Sequence, residues 1–384
     1  MSFYYTDQAS WQFHNPVQLI FGSGCLEQLP QQLPEGKVLL VTTPGFNRRG
    51  VVDRISRLLN NRDLEVFDQV EPNPDLDYLE KHRDVLKKVK PEVLLALGGG
   101  SVLDTAKAYC FLLGQDREFS LKSHLEEKTP LPPASPLPWV AVPTTAGTGS
   151  EVTPFATLWD MEKEKKHSLA APGIFASQAL LDPQLTRDLP LETTVNSGLD
   201  ALSHALEAYW NKNANPITML YSREAVGLVL NNLYPLTREP ENLLLRARMM
   251  RASLLGGLAI SGARTALAHS ISYPVTARFG MPHGLACSFT LPSLLQFNQK
   301  DDDGRLKALA KELGHETPEN LKEALLELFE QVEVGDLVKK YLSSVEDILP
   351  LTSRMITPGR ADNNLREAGA EDIEGILKEL SGSI

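Results

Sequence analysis

Asp200 and His204 stand four residues apart in Asp200-Ala201-Leu202-Ser203-His204, a stretch whose apolar residues recur at helical spacing. One turn of helix puts such a pair on a single face, so the carboxylate and the imidazole can reach a common point. By itself an i,i+4 pair of this kind reads equally as a local hydrogen bond. Two further histidines change that reading. His269 lies in the Ala- and Ser-rich run 266–270, and His283 lies in Gly280-Met281-Pro282-His283-Gly284, where proline and glycine restrain the backbone around it. Three neutral imidazoles and one carboxylate suit a divalent first-row metal, Fe(II) or Zn(II), and an open position would make that metal a Lewis acid. Spacing alone does not say that the four side chains meet.

A second kind of chemistry is suggested by two small-residue loops. The apolar run 93–97 leads into Gly98-Gly99-Gly100-Ser101 and then a helical stretch holding Asp104 and Lys107. Glycines let backbone N–H groups come close to an anion, and a helix N-terminus adds a favourable field for phosphate. The pattern is neither the spaced G-x-G-x-x-G fingerprint nor a P-loop, and a tight turn without a ligand is the other reading. The loop Pro143-Thr144-Thr145-Ala146-Gly147-Thr148-Gly149-Ser150-Glu151 also follows an apolar run. One loop of that sort is usually a turn with satisfied hydroxyls. Two of them at the carboxyl ends of parallel strands are better explained by a shared dinucleotide.

The elements that must position these groups fall into two regions. Short β-branched runs at 17–21, 38–42, 64–68, 93–97 and 139–142 read as strands, alternating with helices at 51–59, 75–89 and 102–113. Strand–helix alternation with continuously apolar strands predicts a parallel sheet covered on both faces. Beyond Asp182-Pro183 the apolar residues recur at helical spacing, as in Leu199, Leu202 and Leu206, and again in Leu321, Leu325 and Leu328. The expected architecture is an α/β dinucleotide-binding domain over 1–185 and an all-α metal and substrate domain over 186–384. The Pro-rich segment 130–138 reads as a loop, and the acidic clusters 301–303 and 371–372 as solvated surface or helix N-terminal charge.

Composition narrows the partners. A chain of 384 residues, 42% hydrophobic and 23% charged, has the profile of an ordinary globular protein long enough for two cores. Its net charge of −11 opposes binding to a phosphate backbone, which argues against nucleic acid as a partner. Cys25, Cys110 and Cys287 are odd in number and far apart, so they form neither a disulfide framework nor a CxxC metal site. A reducing cytoplasm is the expected compartment. The start, residues 1–8, lacks the charged and apolar regions of a signal peptide, and the sequence holds no run of 18 apolar residues, so no membrane span is expected.

With these motifs in this order the chain resembles the iron-containing (group III) alcohol dehydrogenases, which share a fold with glycerol dehydrogenase and dehydroquinate synthase. The resemblance runs from Phe21-Gly22-Ser23-Gly24 through the two loops and Asp182-Pro183 to the Asp200 helix, Pro282-His283-Gly284 and Asn363-Asn364. It implies a dinucleotide, NAD(P)H, in an interdomain cleft, and Asp200, His204, His269 and His283 as ligands of iron or zinc. It also implies nucleotide contacts from Asn73, Thr144, Thr145, Thr148 and Lys166. Gly98, Gly99, Gly100, Ser101, Asp104 and Thr43 complete the expected cofactor set. A small aldehyde or alcohol is the expected partner, and a homodimer the implied assembly.

Three positions depart from the family pattern. Many members carry a histidine four residues after the third ligand, where this chain has Tyr273, which puts proton relay by that histidine in doubt. Members preferring NAD commonly have Asp after the second strand, where this chain has Thr43, so NADP(H) is permitted. Arg48 or Arg49 could meet its 2′-phosphate, or both could simply solvate a helix start. Arg264-Thr265 replaces small or apolar residues, and the stretch Arg264 to Pro274 is similar to the branch that reduces phosphonoacetaldehyde to 2-hydroxyethylphosphonate. Arg264 could bind the phosphonate, or snorkel and pair with an acid. Reductases of sulfoacetaldehyde, butanal or lactaldehyde are alternatives. A dehydroquinate-synthase-like lyase with recycled NAD is another, and a degenerate nucleotide-binding protein is a third.

Overall fold

The computed structural model describes residues 10–114, 119–129, 136–163, 165–171 and 173–380. The N-terminal segment 1–8 and positions 130–135 of the Pro-rich loop lie outside the described residues. The chain divides into two compact units. One is Asn15–Thr145 with Ser150–Arg187; the other is Asp188–Ile384 with Met1–His14 and the four-residue piece Ala146–Gly149.

The first unit holds strands β1 (Gln18–Phe21), β2 (Val38–Val41), β3 (Leu64–Phe67), β4 (Val93–Gly98), β5 (Trp139–Pro143) and β8 (Gln178–Leu181), ordered β1-β8-β5-β4-β2-β3 and parallel throughout. A separate antiparallel hairpin is made by β6 (Phe155–Asp160) and β7 (Lys165–Ala170). Helices α1 (Leu29–Gln32), α2 (Pro44–Arg48), α3 (Val51–Leu58), α4 (Leu76–Val89), α5 (Gly100–Leu113) and α6 (Leu121–Glu127) belong to this unit.

Strands β2 and β4 are buried along their whole length, as continuous apolar runs in a doubly covered parallel sheet must be. Val38, Leu40, Val93, Leu95, Leu97, Val140 and Val142 form one core face with Leu26, Leu29 and Ile55. Each such side chain contributes about 1.5–3 kcal/mol by leaving water. From β2 the chain moves outward to β3 and then returns to β4 on the other side of β2. The strand order therefore reverses between β2 and β4, and crevices at the carboxyl ends of such a reversal are where open α/β sheets take ligands.

The second unit is helical: α7 (Leu191–Tyr209), α8 (Pro216–Arg238), α9 (Leu243–Ala263), α10 (Leu267–Phe279), α11 (His283–Ala286), α12 (Leu291–Gln299), α13 (Arg305–Glu312), α14 (Pro318–Gln331), α15 (Val334–Lys339) and α16 (Ala370–Lys378). Helix α8 opens on a capping box in which Asn215 receives the N–H groups of Ile217 and Thr218, with Pro216 at its first position. Helix α7 lies at the centre of the unit, and its residues from Gly198 to Tyr209 are all buried.

The expected strands appear within a residue of their ends. Helix α5 begins at Gly100 rather than at 102, because Gly99 in extended conformation serves as its N-cap. The hairpin β6–β7 and strand β8 were not expected. β8, Gln178-Ala179-Leu180-Leu181, holds no β-branched residue, and β7 opens on Lys165 and Lys166, whose charges mask its alternation.

Candidate metal and nucleotide sites

Helix α7 places His204 Nε2 3.6 Å from Asp200 Oδ1. His269, the third residue of α10, stacks on His204 with ring centroids 4.8 Å apart. His283, the first residue of α11, meets His269 edge-on at 5.1 Å, and its Nε2 is 4.0 Å from the same Asp200 oxygen. The four side chains singled out by type and spacing thus converge within the helical unit. Asp200, His204 and His269 are buried, whereas the His283 side chain is 33% exposed, so the cluster opens on the His283 side.

Missing side chains bring the three segments this close. A Cβ on Gly256 of α9 would lie 3.2 Å from the Ala201 carbonyl and 3.5 Å from His204 Cβ. A Cβ on Gly284 would lie 1.9 Å from the Asn196 carbonyl oxygen and 3.0 Å from Asp200 Cβ. His204 Nδ1 faces the Gly147 carbonyl at 3.4 Å. A carbonyl only accepts, so that contact favours hydrogen on Nδ1 and turns the Nε2 lone pair to Asp200's side.

Burial works against ionisation of Asp200, but the imidazoles of His204, His283 and His269 and the Cys287 thiol outweigh it and hold the carboxyl below its ordinary value. Among the described residues no lysine or arginine pairs with Asp200. A buried carboxylate needs a cation beside it, and a carboxylate with three imidazoles is a donor set that a divalent metal fits.

The nucleotide loops meet at the carboxyl edge of β4 and β5. Gly98 is the register partner of Pro143, and Thr144 N–H donates to the Gly98 carbonyl at 3.0 Å. A Cβ on Gly99 would touch Thr145 Cγ2 at 3.0 Å, so the second loop position admits no larger residue without displacing that threonine. Ser101 Oγ accepts the Asn73 N–H at 3.3 Å, and Asn73 has a left-handed φ of 57°. Thr43 begins α2 at the end of β2, beside the same edge. Gly98, Gly99, Gly100, Ser101, Thr144, Thr145, Asn73 and Thr43 are therefore gathered where the strand order reverses.

Other expected cofactor residues are employed differently. The Asp104 carboxylate accepts from Ser150 Oγ at 2.6 Å and from Thr157 N–H at 2.8 Å, with the fully buried Lys107 Nζ at 3.4 Å. It ties α5 to the second loop and to the hairpin. Thr148 belongs to the helical unit. Lys166 lies on β7 opposite Trp159, whose N–H donates to the Pro74 carbonyl next to Asn73. Arg49 stacks over Phe46 at 4.4 Å and Arg48 is exposed.

Arg264 ends α9 with φ 72° and ψ 176°, a backbone region that is essentially glycine's. Its N–H donates to the Ile260 carbonyl and its own carbonyl accepts from Asn211. Desolvation, and then the neighbouring charge of Arg360, push its guanidinium below the ordinary value. Arg360 Nε in turn donates to the Tyr273 hydroxyl at 3.3 Å. Arg264 thus lies just before the helix that carries His269, and Arg360 meets Tyr273 one turn beyond that histidine.

Residues 16–183 match the sequence signature described as iron-containing alcohol dehydrogenase, and residues 194–381 match that of the C-terminal part of the Fe-containing alcohol dehydrogenase family. The chain belongs to the iron-containing alcohol dehydrogenases. It is an oxidoreductase acting on CH–OH groups, in a family that uses iron and NAD(P)(H). Membership sets aside the lyase and the non-enzymatic readings. An NADPH-dependent butanol dehydrogenase of Clostridium saccharobutylicum is 30% identical over 341 residues, covering 86% of each chain. Aldehyde-alcohol dehydrogenase 2 of Entamoeba histolytica is 33% identical over 74% of this chain, which spans only 34% of that protein's length. Among solved structures, the sulfoacetaldehyde reductase of Bifidobacterium kashiwanohense in complex with NAD+ superposes with a TM-score of 0.89 at 28% identity, covering 98% of this chain and all of that one.

Two residues beside the candidate metal cluster escaped the spacing argument. Cys287 Sγ lies 3.4 Å from Asp200 Oδ1 and groups with Asp200, His269 and His283, their ligand atoms within 4.8 Å of one another. Burial, followed by the Asp200 charge, pushes this thiol well up, so it donates to the carboxylate. Glu207, fully buried, accepts from His269 Nδ1. Its place seven residues after Asp200 on the same helix face was the available signal. Glu126, Asp160 and His167 form a second grouping, but Lys163 Nζ is 2.6 Å from Glu126 and 3.4 Å from Asp160, so that pair of acids has its own cation.

Proposed function

We propose that this enzyme interconverts a small anionic aldehyde and its primary alcohol, phosphonoacetaldehyde and 2-hydroxyethylphosphonate, with NAD(P)H as hydride carrier. The observation that carries the reading is Arg264. It is half-buried, held in a strained backbone conformation, close to a second guanidinium and five residues before His269. Strain of this sort costs about 1–3 kcal/mol and persists where surrounding structure imposes it, typically at functional sites. Similarity to a sulfoacetaldehyde reductase supports the same chemical class, an aldehyde bearing a tetrahedral oxyanion.

In this reading Asp200, His204, His269 and His283 hold iron, zinc being the other metal the donors accept. The metal supplies Lewis-acid polarisation of the substrate oxygen. The chain's own residues do the rest. Gly98–Ser101, Thr144 and Thr145 seat the dinucleotide phosphates, with Asn73, Thr148 and Lys166 as further contacts. Thr43, which carries no charge, leaves room for a 2′-phosphate. Arg264 fixes the substrate's anionic end and so orients its carbonyl. With Tyr273 in place of a histidine, a phenol hydroxyl is the group available for a proton at that position. A cytoplasmic location and a homodimer belong to the same reading.

The test is a panel of neutral, sulfonated and phosphonated aldehydes with NADH and with NADPH, run on wild type and Arg264→Ala. The variant should lose about 1.5–3 kcal/mol in kcat/KM on the anionic substrate, the range for a hydrogen bond to a charged group, and much less on a neutral one. A preference for the sulfonate would keep the class and change the substrate. Equal losses on all substrates would make Arg264 structural and return the enzyme to an alcohol dehydrogenase of neutral substrates.

A further inference from the structure

Helix α10 begins without a cap of its own. Its N-cap residue is Ala266, whose side chain can accept nothing, so the first N–H groups of the helix need acceptors from elsewhere. Glu207, projecting from α7, supplies them. Its carboxylate takes the His269 N–H at 3.2 Å, and the nearby backbone of Ala268 and Ala266 favours its charged form. The other oxygen of the same carboxylate meets His269 Nδ1. Glu207 is fully buried and desolvation pushes its pKa up to about 7, so the side chain is kept there against its own hydration by these contacts.

One carboxylate therefore performs two tasks on one residue: it caps the helix that carries His269, and it fixes how the His269 ring faces. A carboxylate accepts from Nδ1–H, which leaves Nε2 as the nitrogen the ring can offer to a metal. Asp200, His204 and Glu207 occupy one face of α7, so the helix that provides two of the donors also aims a third. We propose that Glu207 is a positioning residue for the metal centre, setting the tautomer and orientation of His269. This rests on the metal reading above.

Glu207→Gln separates the two tasks. The amide has one oxygen where the carboxylate has two. If that oxygen keeps the backbone N–H of His269, the NH2 group faces Nδ1, and a donor there drives the ring hydrogen to Nε2, on the side of the metal. The measurement is Zn(II) affinity of the full-length apoprotein by competition with a chromophoric chelator, together with the 15N shifts of 15N-histidine-labelled, Zn(II)-loaded protein. Expected are an affinity about 10–100-fold weaker than wild type, the range for loss of an outer partner of a ligating histidine, and helix content by circular dichroism unchanged. In wild type the His269 resonances should report a protonated Nδ1 and a metal-bound Nε2.

Glu207→Asp, with a shorter carboxylate, should recover more Zn(II) affinity than Glu207→Ala. A purely structural role would lower thermal stability while leaving Zn(II) affinity per folded molecule at the wild-type value, and that result overturns the proposal. Metal on Nδ1 in the wild-type spectrum overturns it as well. His269→Ala distinguishes the two layers of the argument: if that variant binds Zn(II) normally, the metal reading itself fails. If His269→Ala loses Zn(II) and Glu207→Gln does not, only the role given to Glu207 fails.

Discussion

Gly284→Ala puts the geometry of the proposed metal centre to a severe test, because the added methyl collides first with the backbone of α7 and with no donor atom. Its Cβ would sit 1.9 Å from the Asn196 carbonyl oxygen, where real Cβ atoms keep at least about 3.0 Å, and Asp200 Cβ at 3.0 Å closes the sideways escape. Asn196 is on α7, which is packed into the centre of its unit, whereas α11 is four residues long and follows Gly280-Met281-Pro282, so α11 is the element that yields. Its first residue is His283. Metal–ligand distances tolerate about 0.2 Å, and a misplacement of about 1 Å at a reacting centre costs roughly 100-fold, so the expected loss in kcat/KM is of that order. The overpacking itself should lower stability by about 1–3 kcal/mol.

The assay is metal content after dialysis, kcat/KM with reconstituted Fe(II), and thermal unfolding. Gly256→Ala serves as the graded control, since its Cβ would meet the Ala201 carbonyl at 3.2 Å, a contact that small shifts relieve. Wild-type metal stoichiometry and wild-type kcat/KM in Gly284→Ala would show that the approach of α11 to α7 does not set the position of His283, and the reasoning would be refuted.

Thr43→Asp should raise KM for NADPH far more than for NADH, because a carboxylate at the end of β2 repels a 2′-phosphate and leaves a 2′-hydroxyl acceptable; equal responses in steady-state kinetics would place cofactor selection elsewhere. Arg264→Gly should raise the thermal unfolding temperature relative to Arg264→Ala, because glycine alone adopts φ 72° with ψ 176° without strain. A Gly variant no more stable than the Ala variant in a thermal melt would mean that the backbone there stores no strain.

Most of the framework was legible because parallel strands buried on both faces must be apolar throughout, and β2, β4 and β5 are. The metal cluster was legible in its residue types, while its convergence was not: His269 and His283 lie far along the chain from Asp200, and only the packing of α10 and α11 against α7 brings them together. Asp104 was legible as a polar residue after a glycine loop, while its protein partners were not: Lys107, Ser150 and Thr157 come to it from one turn along its own helix and from the later loop and hairpin. Strand β8 was hidden because Gln178-Ala179-Leu180-Leu181 has no β-branched residue. Asp182, directly after it, receives the N–H groups of Gly24 and Leu26 and so ties the turn after β1 to the end of β8.

Local rules of sequence and structure agree over nearly all of this chain, so the places where they disagree carry information. Among the described residues five non-glycine residues have positive φ, and four of them, Asn73, Lys90, Lys128 and Glu333, have φ between 52° and 59°, as in ordinary left-handed turns and helix ends. Arg264 is different: its ψ of 176° takes it to a region that a side chain finds costly, and glycine would be the natural residue for the end of α9. The arginine kept at that cost is also partly desolvated and within the field of Arg360. Two like charges drawn together at a partly buried position lower one another's stability unless an anion sits with them. The backbone strain and the charge repulsion are independent penalties: an anion held as in the function proposed above would lower the second, and only a change of residue at 264 would relieve the first.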